Sequence, residues 1–368
     1  MKKRLISLLL LLVITVMPLA ACVGGSGGES TSNNTDATTA GTAAITIPET
    51  ETAAVTDPET SPVTSPETLP ETLPETTVAP EFFEGLNPAL WRVTDGTGAK
   101  LYLFGTIHVG DEHNDAALEL VKPYLDECDA LAVEFDAVAY QSDTARMTQD
   151  IMKLVYLDGT TVKNHMPQEL YERVKQFLTE RGQYAQLLEM YKIPMWSQLV
   201  QSALMEEGPL TAEKAMDSLL ILYAYGKGLP VLDIESAALQ YDAMVSIPDA
   251  FYVLDLEETL DAAGEYRDGL NDLYAAWCSG DTDALTSETS ANVENDEYTA
   301  EEKEAIAVYE NKMIYERNEG MVKTAVSYLR NGKKVFFAVG AAHMVGDRGI
   351  VKALEQAGCT VERISVSN

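Results

Sequence analysis

Two short apolar runs near opposite ends of residues 88–366 share one pattern. Residues 100–105 and 334–340 each end in a glycine, and a histidine follows three residues later, at His108 and His343. A glycine at a strand end lets the backbone turn sharply. The two runs therefore predict strands whose following loops place a histidine at the carboxyl edge of a sheet, where open α/β folds bind their ligands.

Two further apolar runs end in acidic residues. One run precedes Glu134, and another precedes Glu235. A carboxylate at the edge of a buried strand needs a partner, because burying an unpaired charge is costly. A metal ion or an arginine would supply that partner, whereas a solvated loop acid would need none. Asp136 and Asp233 lie close by in the sequence and remain alternatives.

The remaining pattern predicts a hairpin, a mostly helical middle and a closing strand–helix–strand segment. A turn signal at residues 95–98 joins two apolar runs into the hairpin. The strand–loop–helix–strand order that follows implies a parallel pair with a right-handed crossover. The spacing predicts strands at 90–93, 100–104, 131–134, 230–235, 335–339 and 360–364, and helices at 115–126, 167–182, 212–225 and 349–356.

The fold class that follows is α/β. We expect a mostly parallel central sheet built from both ends of the domain, with a large helical insert covering its carboxyl edge. Helical periodicity dominates residues 142–225 and a second block that runs to 329. We expect the acidic stretch 279–298 to interrupt that second block as a loop.

Arg317 interrupts the apolar stripe of a predicted helix. It falls on the same face as Met313 and Met321, so its side chain is expected to point inward. An inward arginine can clamp a substrate carboxylate or carbonyl, or pair with a site glutamate. The alternative is an arginine that lies at the edge of the core with its charged end in water.

The strand-end residues together favour a metal site. Neutral imidazole and carboxylate oxygens are common ligands of divalent metals. We therefore predict His108, His343 and Glu134 as ligands. Glu134 is also the preferred general base, and Glu235 and Arg317 complete the predicted catalytic set. For each histidine alone, a loop residue that satisfies backbone groups is the alternative interpretation.

A glycine-rich segment offers a competing motif. Residues 340–349 lie between a predicted strand and helix, as phosphate-binding loops do. The glycine spacing matches neither the dinucleotide fingerprint nor the Walker loop, and no Lys-Ser/Thr pair follows. The segment is therefore not predicted to bind phosphate.

The N-terminal residues have the composition of a targeting segment and a spacer. A short positive start and an apolar run end at Leu19-Ala20-Ala21-Cys22, which resembles the lipobox of bacterial lipoproteins. Residues 23–80 are rich in Thr, Pro and Glu and contain few large apolar residues, which predicts an extended stalk. We predict a signal peptide at 1–21, lipidated Cys22 with its stalk at 22–80, and a folded domain at 81–368, held outside the cytoplasm by the lipid anchor.

Composition narrows the class of partner. The 368 residues are 46% hydrophobic, which supports a substantial core. The net charge of −32 argues against nucleic-acid binding, which needs a basic surface. Of the 4 histidines, His113 lies near the predicted site loop and His165 is expected at the surface. The three cysteines beyond Cys22 show no C-x-x-C spacing and are predicted to be isolated thiols, with one disulfide-bonded pair as the alternative.

The motifs taken together resemble the TraB/GumN family, which includes the Tiki proteases. The resemblance covers residues 88–366. It rests on Gly105-Thr106-Ile107-His108, Val133-Glu134, Met216-Asp217, Leu229-Pro230-Val231 leading to Glu235, Arg317-Asn318 and Gly340-Ala341-Ala342-His343. It implies a fold related to erythromycin esterase and haem-binding ChaN-like proteins. For Tiki-like members it implies peptide hydrolysis dependent on a divalent metal, with manganese or cobalt favoured. Zinc also suits these ligands.

Two functions fit these expectations. The first is a surface-tethered metallohydrolase that acts on a peptide or protein substrate, with the metal polarising the carbonyl and a glutamate taking a proton from water. The second is a non-catalytic lipoprotein that binds haem, a metal or a cell-envelope ligand. The sequence leaves the substrate and the oligomeric state open.

Overall fold

A six-stranded sheet forms the centre of the domain. The computed structural model describes residues 85–290 and 298–366, so the predicted signal peptide, Cys22 and the stalk lie outside the described residues. The strands occur in the order β4-β3-β5-β2-β1-β6. They are β1 Leu90–Thr94, β2 Lys100–Thr106, β3 Ala130–Val133, β4 Val231–Asp233, β5 Val335–Gly340 and β6 Thr360–Ile364.

The sheet is mostly parallel, as predicted. β4, β3, β5 and β2 pair in parallel, while β1 runs antiparallel to both β2 and β6. The predicted hairpin of β1 and β2 is confirmed. The implied pairing of β2 with β3 is wrong, because β5 lies between them. All six residues of β5 are buried, and a strand that is apolar on both faces belongs in the middle of a sheet.

Helices cover the sheet and form a separate wall beside it. The described residues contain fourteen α-helices: α1 Glu112–Leu125, α2 Ala137–Ser142, α3 Thr144–Ile151, α4 Gln168–Glu180, α5 Ile193–Met205, α6 Met216–Lys227, α7 Ala237–Ser246, α8 Asp249–Asp261, α9 Ala263–Ser279, α10 Thr282–Thr289, α11 Ala300–Glu310, α12 Glu316–Arg330, α13 Ala341–Met344 and α14 Ile350–Gln356. A π-helical turn, Asn311–Tyr315, joins α11 to α12.

Alternate side chains of the strands enter two different cores. In β5, Phe336 and Ala338 pack with α1, α6 and α9, whereas Phe337 and Val339 pack with α12 and α14. This alternation follows from the two-residue period of a strand. A third core around Trp196 holds together α4, α5, α7, α8 and α11. The predicted large helical insert therefore has its own apolar interior, and we refer to it as the helical wall.

The acidic stretch predicted as a loop contains a helix. Asp281 caps the start of α10 by accepting hydrogen bonds from the backbone N–H groups of Asp283 and Ala284. Leu285 is buried and anchors the helix. The cap satisfies backbone N–H groups of the first turn, and the packing of Leu285 in the core holds this short helix in place. Residues 291–297 of the same stretch lie outside the described residues.

The remaining sequence-based expectations agree closely with the structure. The predicted helix at 167–182 is α4, and the one at 212–225 is a 3₁₀ turn followed by α6. Cys128, Cys278 and Cys359 are free thiols. Within residues 85–290 and 298–366, no helix combines the length and the apolar character that crossing a membrane requires.

The two glycine–histidine loops touch each other at the sheet edge. A Cβ atom at Gly105 would lie 3.1 Å from the Cα atom of Ala341, which leaves almost no room for a side chain. The carbonyl of the same glycine accepts a hydrogen bond of 2.8 Å from the indole N–H of Trp277. Gly105, the penultimate residue of β2, therefore permits close packing against the residue that follows β5.

A charged cluster fastens the outer part of the helical wall. Glu189 accepts hydrogen bonds from Lys163 Nζ at 2.7 Å, from the Tyr171 hydroxyl at 2.7 Å and from the Tyr184 hydroxyl at 2.8 Å. Burial alone would raise the pKa of this carboxyl. The hydrogen bonds outweigh burial and lower its pKa to about 2.

This cluster predicts a defined dependence of stability on pH. A carboxyl whose pKa is lower in the folded chain stabilises it above its usual pKa of 4.5, and the contribution is lost as pH falls towards about 2. The unfolding free energies of the wild type and Glu189→Gln should therefore differ most above pH 5 and converge between about pH 4.5 and 2. Urea unfolding followed by circular dichroism measures this. Glu180→Gln, an exposed substitution, is the control, and a difference independent of pH would contradict the prediction.

Candidate functional site

The sheet topology brings the predicted site residues to one edge. His108 follows β2, Glu134 directly follows β3, Glu235 lies two residues after β4, and His343 lies in the short α13 that begins where β5 ends. These four strands are parallel, so their carboxyl ends meet on the same side.

Arg317 lies between the two glutamates. Its Nη2 is 2.6 Å from Glu134 Oε2 and 2.5 Å from Glu235 Oε1, and its Nε donates to Glu235 Oε1 at 3.0 Å. The arginine side chain is 2% exposed. The prediction that it points inward is confirmed, and of the alternatives considered, the structure shows the ion pair with site glutamates.

The π-helical turn helps to fix this arginine. Arg317 follows the turn closely in the chain, and its Nη1 donates to the carbonyl of Met313, which lies within the turn, at 2.9 Å. A π turn leaves backbone carbonyls displaced from the regular α-helical pattern and is frequent at functional sites. The guanidinium is thereby bonded on three sides, to two carboxylates and one carbonyl.

Gln240 connects the same two acids. Its Nε2 donates to Glu134 Oε2 at 2.9 Å and to Glu235 Oε1 at 2.7 Å. The amide is 1% exposed, so both bonds form away from water. Two buried carboxylates are thus held side by side by one cation and one amide, which offsets their mutual repulsion.

The environment separates the two glutamates electrostatically. Burial would raise the pKa of Glu134, but Arg317 and then the two histidines outweigh it, so its pKa falls to about 2. The backbone N–H of Gly340 also donates to its Oε1 at 2.9 Å. Burial raises the pKa of Glu235 above its usual value despite Arg317. A carboxylate with so low a pKa is a weak base, which disfavours our preference for Glu134 as the general base.

His343 is completely buried and neutral. Its Nδ1 lies 2.6 Å from Asn318 Oδ1, and the amide nitrogen of Asn318 donates to the carbonyl of Arg348, which fixes which amide atom faces the ring. The ring therefore carries its proton on Nδ1. Burial and the charge of Arg317 lower the pKa of this histidine to about 3. Among the described residues, its Nε2 has no hydrogen-bond partner, and it lies 3.9 Å from Glu134 Oε1.

His108 has the opposite electrostatic environment. Its Nδ1 lies 2.8 Å from Asp217 Oδ2, and Thr106 donates to the other oxygen of that carboxylate at 2.6 Å. Burial would lower the pKa of His108, but Asp217, with a further contribution from Glu134, raises it to about 9. When Nδ1 donates a hydrogen bond to a carboxylate, Nε2 remains available to coordinate a metal. This arrangement recurs around protein-bound metals.

The donor chemistry of this edge fits a divalent cation. Within residues 85–290 and 298–366, the Nε2 of buried His343 has no hydrogen-bond partner, so its lone pair is not used by the protein there. The carboxylates that raise the pKa of His108 would equally stabilise a metal ion beside it. Within the part of the chain that the structure describes, no three acidic, histidine or cysteine side chains already converge at coordinating distance. The fit therefore rests on donor type and proximity.

Three supporting residues were not singled out as site residues from the sequence. Asp217, Gln240 and Asn318 orient or connect the predicted ones. Asp217 lies in the first turn of α6, where an acid is explained by the helix dipole alone. Asp217 and Asn318 lie in motifs that carry the family resemblance, but their contacts with the histidines and the contact of Gln240 with Glu134 join positions at least 25 residues apart, so no local spacing predicts these contacts.

The other candidate residues have structural roles in the described chain. His113 Nδ1 lies 2.7 Å from Asp111 Oδ1, next to the His108 loop. His165 is half-buried and stacks on Tyr156 at a ring distance of 4.1 Å. Asp136 caps α2, and its backbone N–H donates to Asp233 Oδ1. Since the two aspartates bind backbone and each other, neither joins the arginine-centred group.

The fold and this edge define a class of protein. It is a three-layered α/β domain with a helical wall and a buried polar centre, in which two strand-end histidines flank an arginine and two glutamates. The TraB/PrgY/gumN family profile matches residues 89–363. The chain belongs to the TraB/PrgY/gumN family, and the resemblance seen in its motifs is confirmed.

Several curated relatives carry metalloprotease names. The chain is 27% identical over 329 residues to "Metalloprotease TIKI homolog" of Amphimedon queenslandica, covering 76% of this chain and 62% of that protein. It is 24% identical over 335 residues to "Metalloprotease TIKI2" of Xenopus tropicalis, covering 77% and 61% respectively. A homolog from Nematostella vectensis is 24% identical over 334 residues. The chain thus spans about three fifths of the length of the first two relatives.

The buried ion pairs of Arg317 predict that its substitution lowers stability much more than substitution of an exposed arginine. Arg317→Met leaves two buried carboxylates without their cation, so we expect a loss of about 3–5 kcal/mol in unfolding free energy. Arg173→Met is the matched control, because its partner Asp261 is 58% exposed and the arginine itself 39% exposed. It should change stability by less than about 0.5 kcal/mol. Urea unfolding measures both, and similar losses in the two variants would contradict the prediction.

Proposed function

We propose that this chain is a divalent-metal-dependent peptidase with its centre at the carboxyl edge of the sheet. The observation that carries the proposal is the neutral, fully buried His343, whose Nε2 has no partner in the part of the chain that the structure describes and lies 3.9 Å from a glutamate oxygen. A neutral imidazole with an unused nitrogen lone pair is a common ligand of metal ions. The metalloprotease names of similar proteins support the same class.

The proposed ligands are His343, His108 and Glu134. Asn318 fixes the ring of the first histidine, and Asp217 fixes the ring of the second. Such outer contacts set the tautomer and orientation of a ligand. The low pKa of Glu134 keeps it ionised, as a ligand must be.

Glu235 and Arg317 have the remaining proposed roles, proton transfer and charge neutralisation. When bound, a divalent metal would polarise a peptide carbonyl and lower the pKa of a water molecule. We assign proton transfer to Glu235, because its raised pKa makes it the stronger base of the two glutamates. Arg317 holds that carboxylate at 2.5 Å and neutralises the excess negative charge of the pair. This assignment reverses the preference drawn from the sequence alone.

The metal prediction concerns the two histidines. We expect His343→Ala and His108→Ala to lose binding of Mn²⁺, Co²⁺ and Zn²⁺ together with peptide cleavage. Asp217→Asn should weaken metal affinity by roughly 10–100-fold, because it disturbs the orientation of a ligand. Metal content is measured by mass spectrometry after dialysis of the chain purified from residue 23 onward, and cleavage is measured on a peptide library with and without EDTA.

The control for this experiment is His165→Ala, which removes a half-buried histidine of the helical wall. It should retain both metal and activity. Cleavage that persists with EDTA would contradict the proposal. Retention of haem, a metal or an envelope ligand without any cleavage would favour a binding lipoprotein instead.

We further propose that the peptidase is tethered outside the cytoplasm. The lipobox-like ending at Cys22 and the stalk-like residues 23–80 support this placement. Peptides or proteins at the membrane surface would then be the substrates.

The anchoring proposal has its own test. Cys22→Ser removes the acceptor of the lipid, so the protein should move from the membrane fraction to the soluble fraction. Cys128→Ser, at a buried thiol of the domain, is the control and should stay with the membrane. Immunoblots of fractionated cells measure the distribution. If Cys22→Ser remained on the membrane, the anchor would lie elsewhere.

A further inference from the structure

An apolar pocket opens beside the proposed centre, and the chemistry described so far leaves it unused. Its volume is about 80 Å³. Three helical elements and the loop after β2 contribute aliphatic walls, namely Ile107, Leu270, Leu273, Leu285 and Ile314. The pocket therefore lies between the sheet edge and the helices that follow α8.

The pocket shares a wall with the proposed centre. His108 and Gly340 both line it. The backbone N–H of Gly340 donates to Glu134 at 2.9 Å, and His108 is a proposed ligand. A group that occupies the pocket therefore lies next to the atoms at which cleavage is proposed.

The size of the pocket selects a side chain and not a whole ligand. A single water needs roughly 10–15 Å³ on the same measure, so this space holds roughly five to eight heavy atoms. The side chains of leucine, methionine and phenylalanine are of this size or smaller, so any one of them fits. Drug-sized ligands occupy sites of about 300–1,000 Å³, which this pocket does not reach.

The lining disfavours charged groups. Leu285 is fully buried, and Leu270 is 4% exposed. A charged side chain entering among these residues would lose its hydration, which is costly without a partner. Glu310 is the carboxylate among the lining residues, so a basic side chain is the competing occupant that a test must address.

We propose that this pocket receives an uncharged apolar side chain of the substrate, of leucine to phenylalanine size, next to the bond that is cleaved. The inference rests on the proposed peptidase function and names its substrate class. Leu270, Leu273, Leu285 and Ile314 are then the residues that determine specificity.

The test introduces a charge at the edge of the pocket. Ile314 is half-buried, so Ile314→Glu places a carboxylate there without emptying a core. In the wild type, kcat/KM for a peptide with leucine at the cleavage position should exceed that for alanine by at least about tenfold, since each methylene in an apolar pocket is worth roughly 10-fold or more. In the variant, the leucine peptide should lose at least about tenfold and a lysine peptide should gain.

Two further variants keep the result interpretable. Leu222→Glu adds the same charge on α6 at a leucine that is 55% exposed, and it should leave the preference unchanged. Leu273→Ala enlarges the pocket and should shift the substrate preference from leucine towards phenylalanine or tryptophan. This variant tests the pocket proposal if Ile314→Glu fails to fold. A wild-type preference for lysine or glutamate, or no preference at all, would overturn the inference.

A binding measurement separates this inference from the peptidase proposal. Saturation-transfer NMR with N-acetyl-leucinamide should detect binding to the wild type, weaker binding to Ile314→Glu, and no binding of N-acetyl-lysinamide. Such binding without any cleavage would reject the peptidase and retain the apolar pocket. Cleavage of peptides without discrimination between these probes would retain the peptidase and reject the pocket.

Discussion

The buried charge of Arg317 is the constraint on which this domain depends. Two glutamates end parallel strands at the same edge, where their charges would repel each other away from water. An ion removed from water costs several kcal/mol even after relaxation. The guanidinium bonds both acids directly, and Gln240 bridges them. The helix that carries the arginine also packs on one face of the sheet, so folding of the sheet and neutralisation of its edge occur together.

Different partners distinguish two histidines that share one local sequence pattern. Burial and Arg317 lower the pKa of His343, whereas Asp217 outweighs burial and Arg317 and raises the pKa of His108. One imidazole is thus a lone-pair donor, and the other lies in a field that attracts cations. Identical G-x-x-H frames therefore yield different chemistry, because the helices behind each loop contribute different partners. This asymmetry is what makes a cation site between them physically reasonable.

Much of this edge was predictable because its signals are local. A strand that ends in glycine followed by histidine, an acid after an apolar run, and an arginine on an apolar stripe are each visible in a few consecutive residues. The contacts of Asp217, Gln240 and Asn318 were not predictable, because each depends on how distant helices dock. The position of β5 between β2 and β3 was not predictable either, because it depends on long-range packing. α10 was not predicted, because its acidic residues are typical of a solvated loop. The cap at its start and the burial of Leu285 stabilise the helix instead.

The contact between Gly105 and Ala341 has a mechanical consequence. Gly105 in β2 and Ala341 directly after β5 approach closely, and the two strands are paired alongside this contact. The spacing between the segments that carry the two histidines is therefore tied to the pairing of β2 with β5. A cation bound as we propose would meet ligands whose separation the sheet determines.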